Sequence, residues 1–229
     1  MNLIEKCLHL AGKKDFHIDE RIGMGYILHT CWKYGWMMVR GRLLSLGHRK
    51  IAGSVFIGRG VQLLEKRYLT LGAKTKLQEK VKIDALSTDG VVIGQNCVLG
   101  RNTCIECTGS LSHLGKGVVI GNGTTFGNDC FFGAAGGIRI GDNVMAGQYV
   151  RFHSENHNYK DHDKLIKDQG VNHQGIEVGN NCWIGAGAVF LDGAKLGNGC
   201  VVAANAVVTK QFPDNSVIGG VPAKLINTR

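Results

Sequence analysis

Four of the nine histidines, His153, His157, His162 and His173, fall in one polar stretch of this 229-residue chain. Histidine is the side chain best suited to take up a proton near neutral pH, so the stretch could supply a general base. The plain alternative for any of them is a solvated loop imidazole. His153 and His157 have the HxxxH spacing that binds metal on a helix. They continue a strand pattern, however, where positions i and i+4 share a face but stand roughly 13 Å apart. Cys104 and Cys107 form a lone CxxC with no second pair to complete a zinc site. No metal is expected.

The elements that must hold these residues count in sixes. Val178, Ile184, Phe190, Leu196, Val202 and Val208 are evenly spaced, and Gly179, Gly185 and Gly197 directly follow three of them. A period of six fits neither a strand nor a helix as a single element. It fits a flattened parallel coil, with one short strand per hexad, its apolar residue inward, and a tight turn where Gly or Asn is cheap. Three hexads close one triangular coil, and stacked coils share a continuous core. The beat recurs in Ile93, Leu99 and Ile105, in Ile120, Phe126 and Phe132, and in Ile140, Ala146 and Phe152. Ile57-Gly58 and Leu71-Gly72 are weaker echoes. It breaks over residues 153–177, which read as a loop thrown out of the coil. Insertions in repeat arrays map to functional faces.

Composition sets the remaining bounds. Thirty-four glycines against two prolines, with 44% hydrophobic residues, suit a turn-dense repeat and not a disordered chain. A net charge of +9 favours polyanionic partners, but no recognition helix or aromatic-rich motif indicates nucleic acid. A phosphate-rich ligand, an anionic membrane surface and a merely solvated surface account for the charge equally. Cys97, Cys130, Cys182 and Cys200 sit inside hexads as small buried residues do. Residues 1–6 do not begin a secretory signal, and a reducing cytoplasm is the simplest assignment. Residues 1–50 form an N-terminal segment of different character. Residues 22–39 are apolar and aromatic, interrupted by His29 and Lys33, and Arg40, Arg42, Arg49 and Lys50 follow. This reads either as a helical cap on the open end of the coil or as an interfacial helix.

The segment Ile176-Glu177-Val178-Gly179-Asn180-Asn181-Cys182-Trp183-Ile184-Gly185-Ala186, then Val207-Val208-Thr209-Lys210 and Gly219-Gly220-Val221-Pro222-Ala223-Lys224, resembles the last-coil signatures of the hexapeptide-repeat acyltransferases. The resemblance spans roughly residues 90–226. It implies an all-β protein, a left-handed parallel β-helix of hexapeptide repeats over residues 51–226, with an extruded catalytic loop at 153–177 and a short helical N-terminal segment. It further implies transfer of an acetyl group from acetyl-CoA, or another short acyl-CoA, to a sugar hydroxyl of a polysaccharide precursor or glycoconjugate.

Val150-Arg151-Phe152-His153-Ser154-Glu155-Asn156-His157 matches the stretch that ends in the catalytic histidine of maltose and galactoside acetyltransferases, and so assigns the base to His157. Those enzymes carry proline next. Here Asn158-Tyr159 follows, a pattern more like the O-acetyltransferases of bacterial surface polysaccharides. Glu155, Asp161, Asp163 or a backbone carbonyl could orient the base. The family's acceptor asparagine aligns with Gly127, so that contact is missing or moved to Asn128 or Asp129, with Asn156 beside the base. Trp183, Gly185, Ala186, Ala204, Thr209, Lys210 and Lys224 match the acyl-CoA site. Ala186 offers its N–H to the oxyanion, Lys210 and Lys224 meet the cofactor's phosphates, and Trp183 packs beside the groove or inside the coil. The family implies a homotrimer acting on a small-molecule or glycan acceptor. The alternatives are N-acetylation of an amino sugar or antibiotic, and a non-catalytic hexapeptide scaffold. Three-histidine zinc of the related γ-class carbonic anhydrases is not expected, because no histidines fall on consecutive hexads.

Overall fold

The structure, a computed structural model, describes residues 18, 19, 21–110 and 112–229. The start of the chain, read above for a signal, lies outside these residues. The chain divides into two compact units, Met1–Trp36 and Met37–Arg229.

In the second unit, strands of two or three residues recur in threes and wind a parallel coil. A typical turn of it runs Thr125–Phe126, Phe131–Gly133 and Ile138–Ile140. Each strand pairs in parallel with its equivalents one coil below and one above: Phe132 faces Ile105 and Phe152, and Ile140 faces Ile120 and Val178. Three sheets result, of nine, seven and seven strands, here called first, second and third in the order the chain visits them. The six evenly spaced residues from Val178 to Val208 are all buried. The second sheet stacks its aromatics down the core: Phe132 on Phe152 at 4.9 Å between ring centres, and Phe152 on Phe190 at 4.8 Å. These separations equal the strand spacing of a sheet, about 4.8 Å, so equivalent rings on successive coils meet without adjustment.

Two features make the corners. At the turn from third to first sheet, Asn96, Asn143, Asn181 and Asn215 have φ between 54° and 60°, a left-handed conformation that Asn tolerates better than most residues. The residue before each turn carries a second ladder. Asp142 Oδ1 accepts from Asn122 N at 2.6 Å, Asn180 Oδ1 from Asp142 N at 2.7 Å, and Asn198 Oδ1 from Asn180 N at 2.8 Å. The glycine after the aliphatic residue has another cause than the expected cheap turn. Gly185 has no left-handed φ. A Cβ there would lie 2.5 Å from the Ala204 backbone nitrogen of the next coil, so the glycine permits close stacking.

The helix Met24–Ser45 spans the unit boundary. Its part beyond Trp36 lies on the first coil. Met37 is fully buried, Leu44 packs on the core, Arg40 Nε donates to Ile57 O at 2.9 Å, and Gly41 leaves space taken by the Val55 carbonyl. Residues 37–45 therefore cap the open end of the coil. At the other end Lys224–Thr228 pairs antiparallel with Ser216–Gly219 and covers the last strand of the first sheet, which removes an exposed edge.

The ring stack yields a direct test. Phe152→Ala should destabilise the coil by about 3–5 kcal/mol, the usual cost of emptying a buried phenylalanine site. Chemical denaturation measures it, and a loss below about 1 kcal/mol would contradict the stacked core.

Candidate functional site

The coil departs from its path after His153, which ends the strand Arg151–His153. Ser154 is fully buried and pins the exit: its hydroxyl accepts from Gly136 N at 3.0 Å and donates to Gly133 O at 2.9 Å. The return is pinned by Asp192. This buried carboxylate accepts from Gln174 N at 2.9 Å and from Gly175 N at 2.7 Å. Between the pins, Asn156–His157 pairs antiparallel with Val171–Asn172. The tip is tied by Gln169, whose Nε2 donates to Asp161 O at 2.7 Å and to Lys164 O at 2.9 Å. The expected loop 153–177 is thus a hairpin of residues 155–174. His153 and Ile176–Val178 remain strands of the coil.

His157 sits opposite Val171, exposed, on the wall shared by two cavities. The larger, about 730 Å³, is the polar concavity of the hairpin, lined by Asn156, Tyr159, Lys160, Gln169 and Asn172 among others. The smaller, about 360 Å³, lies against the outer face of the second sheet and also takes in His153. The two histidines therefore share one cavity, because the chain turns at Ser154–Glu155 and does not continue the strand that the sequence suggests. Burial, with Arg151 nearby, lowers the His153 pKa below its usual value, so this imidazole is neutral at pH 7. Its ring lies 5.5 Å from that of Phe131. His173 Nε2 meets Glu155 Oε2 at 2.7 Å.

Two of the expected orienting groups are engaged elsewhere. Glu155 holds His173, and Asp161 accepts from Asp163 N and pairs with Lys164. Among the described residues the His157 ring has no hydrogen-bond partner. None of them gather three or more metal-ligating side chains. Burial raises Cys104 to about 11 and Cys107 to about 12, so both are thiols at neutral pH and poor nucleophiles.

The other sequence-derived positions fall at several places. Trp183 points outward from the first sheet, 57% exposed, beside Met145. That excludes the interior packing considered for it. Gly185, Ala186 and Ala204 lie one coil apart at the corner between first and second sheets, and the second sheet separates that corner from the hairpin. Among the described residues, the backbone N–H groups of Ala186 and Ala204 donate to no acceptor. Thr209 and Lys210 lie at the hairpin's own corner, two coils on, with Lys210 Nζ 5.5 Å from the Phe212 ring centre. Lys224 is exposed on the last strand. Asn128 and Asp129 make a turn: Asn128 Oδ1 accepts from Arg101 N, Asp129 Oδ1 accepts from Asn102 Nδ2, and neither lines either cavity. Sequence reasoning missed Ser154 and Asp192. Their only signal is that each is a lone polar residue next to a core position.

Two family models match: the bacterial transferase hexapeptide of six repeats at residues 175–210, and the hexapeptide repeat of succinyl-transferase at residues 90–126. Both matched segments are hexapeptide repeats and lie in the coil. Its coil is the left-handed parallel β-helix. A probable acetyltransferase of Mycobacterium tuberculosis is 28% identical over 85% of this chain and 56% of its own length. The galactoside O-acetyltransferase of Escherichia coli is 33% identical over 39% of this chain and 43% of its own. Against the first three curated relatives this hexapeptide-repeat chain spans 43–56% of their length. Among solved structures, a galactoside acetyltransferase in complex with coenzyme A superposes with a TM-score of 0.51 and 27% identity, covering 59% of this chain and 64% of that one. An N-acyltransferase from Bacillus cereus has a TM-score of 0.56 at 13% identity, over 83% and 89%, which is a likeness of fold alone.

The pins should be separable from the coil. Asp192→Ala leaves two amides without their acceptor, at a cost of about 1–3 kcal/mol, and frees the hairpin's return. Limited proteolysis should then cut within residues 158–170 much faster than in the wild type, while the far-ultraviolet spectrum stays that of the coil. Unchanged cleavage would show that Asp192 does not hold the hairpin.

Proposed function

We propose that this chain is an acetyl-CoA-dependent O-acetyltransferase that acetylates a sugar hydroxyl of a polysaccharide precursor or related glycoconjugate. The observation that carries the reading is the placement of His157, presented to a cavity by a hairpin whose two ends are pinned to a rigid coil. The named relatives support it, as does the coenzyme A complex of the galactoside enzyme. In this mechanism the acceptor hydroxyl binds beside His157, which takes its proton as the oxygen attacks the thioester carbonyl. The tetrahedral oxyanion is held by backbone N–H at Ala186, a donor left without an acceptor among the described residues. Collapse expels the coenzyme thiolate, which recovers the proton from the imidazolium. No acyl-enzyme is needed, in keeping with the raised thiol pKa values.

The donor's thin pantetheine arm suits the column of small residues at Gly185, Ala186 and Ala204, where no long side chain blocks the corner. Trp183 flanks it on the same chain, Thr209 at the hairpin's corner would reach it from a neighbouring chain, and Lys210 and Lys224 meet its phosphates. His157 and Ala186 stand at different corners of successive coils, and among the described residues the His157 ring has no partner. Both facts favour a homotrimer in which one chain's hairpin faces a neighbour's corner. Asn156 is the acceptor contact retained beside His157. We further propose a cytoplasmic enzyme with peripheral membrane contact through residues 1–50. Tyr26, Leu28, Trp32 and Trp36 are exposed, and no described helix is long and apolar enough to cross a membrane.

Kinetics separate the two roles. His157→Ala should lower kcat by roughly 100- to 10,000-fold with donor affinity nearly unchanged. Lys210→Ala with Lys224→Ala should raise the donor KM about tenfold, most at low salt, with kcat little changed. A near-normal kcat in the histidine variant would remove the proposed base.

Analytical ultracentrifugation with and without anionic vesicles tests the assembly. A trimer is expected alone, and co-sedimentation with vesicles at low salt. A monomer at micromolar concentration, or a trimer that ignores vesicles, would overturn the corresponding part.

A further inference from the structure

The smaller cavity has a floor with a missing tooth. On the outer face of the second sheet, Glu106, Gly133 and His153 are in-register neighbours on three successive coils. Glu106 and His153 therefore stand about 10 Å apart, twice the strand spacing, and the position between them carries no side chain of its own. A Cβ at Gly133 would lie 3.2 Å from Phe131 Cε1, so the glycine lets the edge of the Phe131 ring lie across the gap and floor the notch. Phe131 is half-buried and leans on His153. Cys107 and Gly109 form part of the opposite wall, and His157 stands at the rim.

The chemistry of the notch is specific. Lys82 Nζ donates to Glu106 Oε1 at 2.9 Å and holds its carboxyl ionised, below the usual range. The group is an acceptor only, with Oε2 left for a ligand, and its charge is already paired. An aromatic face beside a carboxylate suits a flat ring with apolar C–H on one side and hydroxyls at its edge. It does not suit an amine: an ammonium beside Glu106 would be held protonated and could not attack.

We infer that the notch formed by Glu106, Gly133, Phe131 and His153 is a subsite for a neutral pyranose ring, and that these residues select the acceptor. The inference rests on the proposed acetyl transfer and names its acceptor subsite. Glu106 accepts from ring hydroxyls, Phe131 takes the apolar face, and Gly133 gives the Phe131 ring room to lie between Glu106 and His153.

Saturation-transfer NMR on the full chain tests it, with methyl β-D-galactopyranoside and methyl α-D-glucopyranoside as probes, glucosamine as the charged control, and coenzyme A binding followed in parallel by thermal shift. At least one neutral glycoside should bind, and glucosamine no more tightly than it. Glu106→Gln should weaken that glycoside about tenfold, the worth of a charge-assisted hydrogen bond. Gly133→Val should abolish its binding by pushing the Phe131 ring out of the notch. Both variants should retain the coenzyme A shift and the wild-type melting temperature. Phe131→Ala serves if Gly133→Val fails to fold, and should weaken the same probe. No glycoside binding, stronger binding of glucosamine, or unchanged affinity in the variants overturns the subsite. A wild-type chain that shifts with coenzyme A in those cases leaves the transferase reading standing, whereas one that does not shift removes that reading itself.

Discussion

Everything in this molecule follows from stacking coils at one strand spacing. Successive coils must approach within hydrogen-bonding distance along all three sheets and also at the corners, where side chains normally intrude. The Oδ1 ladder through Asn122, Asp142, Asn180 and Asn198 satisfies the corner amides of each coil from the next. Gly141 and Gly185 leave the space that the next turn occupies. Inside, the same spacing puts Phe132, Phe152 and Phe190 in register. A coil that must repeat at this spacing cannot flex locally, because a displaced strand loses its partners on both sides.

That rigidity explains why the candidate chemistry sits on the longest departure from the repeat among the described residues. A regular hexad presents alternating outward positions but cannot aim a side chain across them. A hairpin can, provided its ends do not move. Ser154 and Asp192 supply that condition with buried hydrogen bonds to Gly133, Gly136, Gln174 and Gly175. Precision at His157 is thus borrowed from the coil through two polar anchors, one on each side of the excursion.

The fold was legible in the sequence because its repeat is short and enforced at every coil. Val178 through Val208 could be assigned inward by counting alone. What counting could not give was the purpose of each glycine, since close approach and a left-handed turn leave the same letter. It also could not show that His153 and His157 share a cavity, because that depends on a bend at Ser154 whose driving force is a bond to residues about twenty positions earlier. Glu106 and Phe131 carried no signal of their own. They join the site only because parallel register brings residues from three coils onto one face, and register is a property of the stack.

The position of the corners gives the last step. In one chain, Ala186 and Ala204, whose amides find no acceptor among the described residues, lie at a different corner from the hairpin, with the second sheet between. The coil is stiff, so no internal motion can bring Ala186 to His157. If both act on one reaction, they must come from different copies, and the assembly then becomes part of the chemistry. The imidazole's lack of a partner among the described residues fits the same logic, since a base that must face a neighbour's surface gains nothing from being tied down within its own. The pyranose notch, by contrast, is complete in one chain. Acceptor selection would then belong to a single subunit and acetyl transfer to a pair. Variation at Glu106 or Gly133 could change the sugar without disturbing the surface where the donor lies.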